Sequence, residues 1–146
     1  MMNVVETLSI LLADTYALYL KTQNYHWHVK GGPEFKGLHE LFESQYRELA
    51  EAIDEIAERI RILGSPAPAT FQEFERLKRI KDGKVRDDSN EMVKELAEDH
   101  VTLVKDLNQA MSVAQQHHDE GSANLISDRI SAHEKASWML HASVVK

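Results

Sequence analysis

Apolar and aromatic residues at Val5, Leu8, Leu12, Tyr16 and Tyr19 recur in steps of three and four, which predicts one face of a helix from about Asn3 to Lys30. A second helix is expected after Pro33, a residue suited to a first helical turn. Its stripe of Phe35, Leu38, Phe42, Tyr46, Leu49, Ile53, Ile56, Ile60 and Leu63 is nearly unbroken. Gly64 then offers a left-handed C-terminal cap, and Pro66 forbids continuation. Thr70 and Glu73 form a capping-box pattern that predicts a short helix between Ala69 and Leu77, inside a connection too long for a hairpin. Asp88 and Glu91 read as the cap of a third long helix with Val93, Leu96, His100, Leu103, Leu107, Ala110 and Ala114 inward, ending near His117 to Asp119. Gly121 and Ser122 are read as the next break. A last helix then runs to about Ala142, with Ile126, Ile130, His133, Ser137 and Leu140 inward.

Four long helices with one long connection in the middle give an all-α fold, a ferritin-like four-helix bundle with a short extra helix in the crossover. Residues 1–146 are expected to form one domain, a length that can bury a sizeable core. Three prolines and six glycines, gathered at the breaks, leave the helices uninterrupted.

Composition narrows the chemistry. The chain has no cysteine, so disulfides and thiolate metal sites are excluded, and a cytoplasmic location is the expectation. No basic leader or membrane-length apolar run is visible. A net charge of −7 favours cations over nucleic acid at long range.

Metal-capable residues concentrate in Tyr25-His26-Trp27-His28, at His39 with Glu43 one turn later, and in Asp54-Glu55-Ile56-Ala57-Glu58. Measured around the second helix from Leu38 at 100° per residue, the core stripe spans about −20° to +80°, while His39, Asp54 and Glu58 fall near about 100°, 160° and 200°. They share an adjoining face, which also carries Ala50, Ala57 and Ile62 and suits contact with another subunit. His39 and Asp54 are separated by roughly 22 Å along the axis, so one chain cannot bring them to one ion. His26 and His39 lie at similar distances either side of the first connection, and an antiparallel hairpin can join them. Two second helices meeting antiparallel about a two-fold axis near Tyr46 or Arg47 would set His39 of one chain beside Asp54 and Glu58 of the other, twice over by symmetry. Two imidazoles and two carboxylates without thiolate suit iron, manganese or zinc, and redox chemistry requires iron or manganese.

The run Asn24-Tyr25-His26-Trp27-His28-Val29-Lys30-Gly31-Gly32-Pro33 to His39, followed by Asp54-Glu55-Ile56-Ala57-Glu58-Arg59-Ile60, resembles the signature of the Dps mini-ferritins. The segment from His133 to Leu140 resembles the last helix of that family. The resemblance implies a hollow shell of twelve subunits that binds iron at two-fold interfaces, oxidises it preferentially with hydrogen peroxide, and stores the ferric product. It implies His26 and His39 as ligands from one subunit and Asp54 and Glu58 from the other, Glu58 the main anchor and Glu43 a helper at a second iron position. Trp27 matches a tryptophan beside the site that can give up an electron, and His28 is read as non-ligating. His100 and His133, on core stripes, are expected to be satisfied buried histidines.

The sequence departs from the family in three places. Gly31-Gly32 carries an apparent extra glycine. Asn124 stands where relatives often have Asp in the segment lining an iron-entry pore, though Asp119, Glu120 and Asp128 remain nearby. No Lys-rich tail is seen, so DNA binding is not expected. The competing readings are a DNA-compacting protein with little ferroxidase activity and a non-catalytic helical interaction protein.

Overall fold

The computed structural model describes residues 2–84 and 87–146. Five α-helices follow in order: α1 (Val4–His28), α2 (Phe35–Ile62), α3 (Phe71–Leu77), α4 (Ser89–Gln116) and α5 (Glu120–Ala142), with a 3-10 turn at Gly32–Glu34 before α2. The short links make α1–α2 and α4–α5 antiparallel hairpins, which pack together chiefly through α1 on α4, with α3 lying against α1. No helix among the described residues is long and apolar enough to cross a membrane.

Local chemistry sets the helix ends. Asn3 caps α1 through Oδ1, which accepts from Glu6 N–H at 2.8 Å. Thr70 and Asp88 do the same for α3 and α4, as their box patterns predict. At the end of α2, Gly64 takes a φ of +90°, while Ser65 N–H reaches Ile60 C=O and Gly64 N–H reaches Arg61 C=O. This pairing satisfies two orphan carbonyls of the last turn in a Schellman arrangement.

The α4–α5 break falls earlier than Gly121 and Ser122, which belong to the first turn of α5. His118 supplies the left-handed residue with a φ of +54°, and Asp119 is the cap, accepting from Ser122 N–H at 3.0 Å. Gly121 answers a different need. A Cβ there would stand 2.5–2.7 Å from the Arg59 guanidinium, which donates to Asp119 Oδ1 at 2.7 Å and Ser122 Oγ at 3.1 Å. Gly121→Ala is therefore expected to cost about 1 kcal/mol by dislodging Arg59, despite the better helix propensity of alanine. In thermal unfolding, the change should add nothing further on an Arg59→Ala background; an additive loss would refute the contact.

The core holds most of the apolar stripes, including Leu8, Leu12, Phe42, Leu49, Ile56, Ile60, Leu96, Leu103 and Leu107. Phe35 departs from its expected inward position. It sits in the first turn of α2, is exposed, and stacks on His39 instead. Among the described residues, Asp14, Lys21 and Arg129 are buried charged side chains. Asp14 accepts from the backbone N–H groups of Arg79 and Ile80 at 2.6 and 2.9 Å, pinning the crossover to α1, and its burial raises its pKa. Lys21 bridges Glu95 at 3.0 Å and Asp99 at 2.7 Å. Arg129 on α5 forms a two-pronged pair with Glu48 on α2. Each satisfies the rule that buried charge is paired or hydrogen-bonded.

Candidate metal centre

The end of α1 and the start of α2 build the site through their main chains. The last carbonyls of a helix have no partner within it, and the His26 carbonyl, in the last turn of α1, accepts from His39 Nδ1 at 2.8 Å. His26 Nδ1 in return donates to the His39 carbonyl at 2.7 Å. A carbonyl can only accept, so in each neutral ring the proton sits on Nδ1 and the Nε2 lone pair is left free. The rings stack with centroids 3.8 Å apart, flanked by Phe35 on His39 at 5.1 Å and Tyr46 edge-on to His26 at 5.2 Å. Folding the hairpin thus stacks two imidazoles and leaves the Nε2 of each without a backbone partner.

Glu43, one turn along α2, places Oε1 at 3.8 Å from His26 Nε2. Its other oxygen accepts from Arg47 Nε at 3.1 Å. Among the described residues, His26, His39 and Glu43 are the one group of three whose ligand atoms all lie within 4.8 Å of one another. Glu43 therefore joins the histidines within one chain.

Asp54 and Glu58 lie elsewhere. Both are exposed on α2, 15 and 19 residues beyond His39, or roughly 22 and 28 Å along the axis. Neither forms a hydrogen bond or ion pair among the described residues. Ile62, 71% exposed, is on the same stretch of helix, and Trp27 is 61% exposed beside His26.

His28 is exposed, and its Nδ1 donates to Asn24 C=O at 2.8 Å, a bond within its own helix. Of the acidic residues near the α4–α5 turn, Glu120, Asp128 and the neighbouring Asn124 are exposed. Asp119 is instead held by Arg59 and Ser122; these bonds outweigh its desolvation and lower its pKa. The buried histidines differ from expectation in one respect. His133 is bonded at both ring nitrogens, but His100 Nε2 has no partner among the described residues.

The crossover also carries a basic run, Arg76, Lys78, Arg79, Lys81 and Lys84. Part of it is neutralised locally, Lys78 by Glu75 and Asp82 and Arg79 by Asp106. Tight clustering of cations without aromatic spacing was the available signal.

The Ferritin-like domain family matches residues 5–146. The chain is 37% identical over 140 residues to DNA protection during starvation protein 2 of Bacillus anthracis, covering 96% of this chain and 95% of that protein. Its fold superposes on a crystal structure of a Dps protein from Bacillus brevis with a TM-score of 0.92 at 36% identity, covering 95% and 93% of the two chains. A Dps protein from Vibrio cholerae O1, described as a member of a broad superfamily of ferritin-like diiron-carboxylate proteins, gives 0.90 at 33% identity over 95% and 87%. By its helical fold, its two histidines at the first hairpin and these similarities, the chain belongs to the Dps branch of the ferritin-like family.

Proposed function

We propose that this protein is an iron-storing, iron-detoxifying mini-ferritin whose ferroxidase sites are each assembled from two subunits. His26 and His39 of one chain, with Glu43 beside them, face Asp54 and Glu58 of a two-fold mate, in a closed shell of about twelve subunits. The observation that carries this reading is the reciprocal pair of Nδ1-to-carbonyl bonds. It fixes two Nε2 lone pairs for a cation, while the carboxylates that would complete the set stand unpaired and out of reach on the same helix.

Iron(II) is the substrate, and hydrogen peroxide is the proposed oxidant. Two iron(II) ions, one peroxide and two protons give two iron(III) ions and two waters. The chain's part is to hold the metal in a mixed nitrogen and oxygen set, to supply negative charge that stabilises the higher oxidation state, and to exclude bulk water by subunit contact. Trp27, next to His26 in the chain, is the proposed source of a single electron where only one iron is bound.

Glu58→Gln is expected to remove most iron(II) binding in anaerobic titration, at least tenfold in affinity, because it deletes a charged ligand while keeping shape. Binding at wild-type strength would sink the ligand assignment. Iron entry is assigned to the acidic residues at the α4–α5 turn. Glu120→Gln with Asp128→Asn should slow uptake several-fold at low ionic strength and leave oxidation at saturating iron intact. Asp119→Asn should act differently, costing about 1 kcal/mol of stability through its cap and Arg59 bonds. Unchanged uptake in the double variant, measured by stopped-flow absorbance, would move the pore elsewhere.

A further inference from the structure

His26 opens a line of aromatic rings that runs along the seam between α1 and α2. Its imidazole meets Tyr46 of α2 edge-on, with ring centroids 5.2 Å apart. Tyr46 meets Tyr19 of α1 edge-on at 5.9 Å, Tyr19 meets Tyr16 edge-on at 5.7 Å, and Tyr16 stacks on Phe74 of α3 at 4.9 Å. Every separation falls within the range of about 4.5–7 Å at which rings are in contact. The line takes in three of the four tyrosines of the chain. The fourth, Tyr25, is outside it, fully buried in the core with its hydroxyl donating to Glu95 at 2.6 Å.

Phenylalanine at positions 16, 19 and 46 would keep the same ring contacts. What the hydroxyl adds is ease of one-electron oxidation, because a phenol can lose its proton with the electron and become a neutral radical. A phenyl ring has no such proton, so Phe74 ends the oxidisable part of the line. Tyr16, Tyr19 and Tyr46 are all half-buried, which leaves each phenol proton a way to water.

The proposed iron chemistry has a use for such a line. Peroxide takes two electrons, and a site holding a single iron(II) supplies one. Unless a second donor is at hand, the other product is a hydroxyl radical formed beside His26 and His39. Tyr46 is the phenol in ring contact with one of these ligands. One iron(II), one peroxide, one tyrosine phenol and one proton give one iron(III), one tyrosyl radical and two waters. Tyr19 then restores Tyr46 by giving it an electron, with a proton exchanged through water, and Tyr16 restores Tyr19 in the same way. No further reactant is needed.

We infer that Tyr46, Tyr19 and Tyr16 form an electron relay that supplies the second electron when one iron is bound and moves the resulting radical away from the histidine ligands. The inference rests on the proposed iron site and adds donors distinct from Trp27, which is 61% exposed and is not one of the rings in this line.

The full-length assembly, freed of metal, is loaded anaerobically with one iron(II) per proposed site, mixed with hydrogen peroxide and freeze-quenched for electron paramagnetic resonance. An organic radical signal that narrows on ring-deuteration of tyrosine is expected. Tyr46→Phe should lose most of that signal and raise oxidation of His26 and His39 several-fold by peptide mass spectrometry, while Tyr25→Phe should change neither. Anaerobic titration should show Tyr46→Phe binding iron(II) as wild type does. Should binding weaken instead, Tyr16→Phe/Tyr19→Phe, which touches no proposed ligand, decides: damage to the two histidines should still rise, and unchanged damage would overturn the relay. A signal that narrows only with deuterated tryptophan, or one that Tyr25→Phe abolishes, overturns it as well. If wild type binds and oxidises iron(II) without a tyrosine radical, the relay is wrong and the iron site stands. If wild type binds no iron(II), the site reading falls and takes the relay with it.

Discussion

Assemblies mixed from a His26→Ala/His39→Ala subunit and an Asp54→Ala/Glu58→Ala subunit are expected to regain iron(II) oxidation that neither parent shows. The first parent keeps only carboxylates and the second only imidazoles, so every site in either pure assembly lacks one half. In a mixed two-fold contact, one of the two sites receives both intact halves and the other receives neither. Up to half of the wild-type sites should therefore return for each such contact. The expectation follows from lengths alone: His39 and Asp54 sit 15 residues apart on the unbroken helix α2, and a rise of about 1.5 Å per residue keeps them roughly 22 Å apart. Mixed shells that form by light scattering yet oxidise no more iron than the parents would rule out the shared site.

Acidification should destabilise the protein steeply between about pH 6.5 and 4.5 through His100 and His133. Burial, with the charge of Arg129, lowers the His100 pKa to about 3 and moves that of His133 well down, with His100 adding to the latter. In the unfolded chain both titrate near 6.5. Below that pH the unfolded state takes up protons that the folded state refuses, so stability present at neutral pH is withdrawn as pH falls. The slope is up to about 3 kcal/mol per pH unit for the pair. Asp14 and Asp99, raised by burial, work in the opposite sense near the carboxylate range. His100→Gln can still accept from His133 but cannot titrate, and should lose about half the slope. Thermal midpoints measured across this range for both proteins check it; parallel curves would show the acid response to come from other groups.

Much of this architecture was legible because it rests on local rules. The α2 stripe repeats through seven turns with a capping glycine at its end, and each box of Thr70 with Glu73 and Asp88 with Glu91 satisfies its own orphan donors within one turn. The placement of His39, Asp54 and Glu58 beside the core stripe of α2 was readable for the same reason, since angle and rise on one straight helix depend on nothing outside it. What could not be read depends on partners far along the chain. Asp14 stands among apolar residues and looks misplaced until the main chain at Arg79 and Ile80 arrives beside it. Arg129 looks like a surface cation in a polar stretch, and only the meeting of α5 with Glu48 and His133 explains its burial. Gly121 reads as a break because glycine usually is one. Here the space was required by Arg59, contributed by another helix. The reciprocal histidine bonds were also invisible, because they use backbone carbonyls that carry no sequence signature.

Those bonds also bear on the order in which the site is made. All five candidate ligands lie between His26 and Glu58, and the two imidazoles close a loop of only 13 residues. Closing so short a loop costs little chain entropy, and contacts of this range form early. The histidine pair is thus encoded within the first hairpin, whereas in the proposed shared site the complete ligand set waits for a second chain. Under that proposal, maturation of the centre would be timed by subunit encounter and depend on protein concentration, even though the histidine half of its ligand geometry is set within one chain.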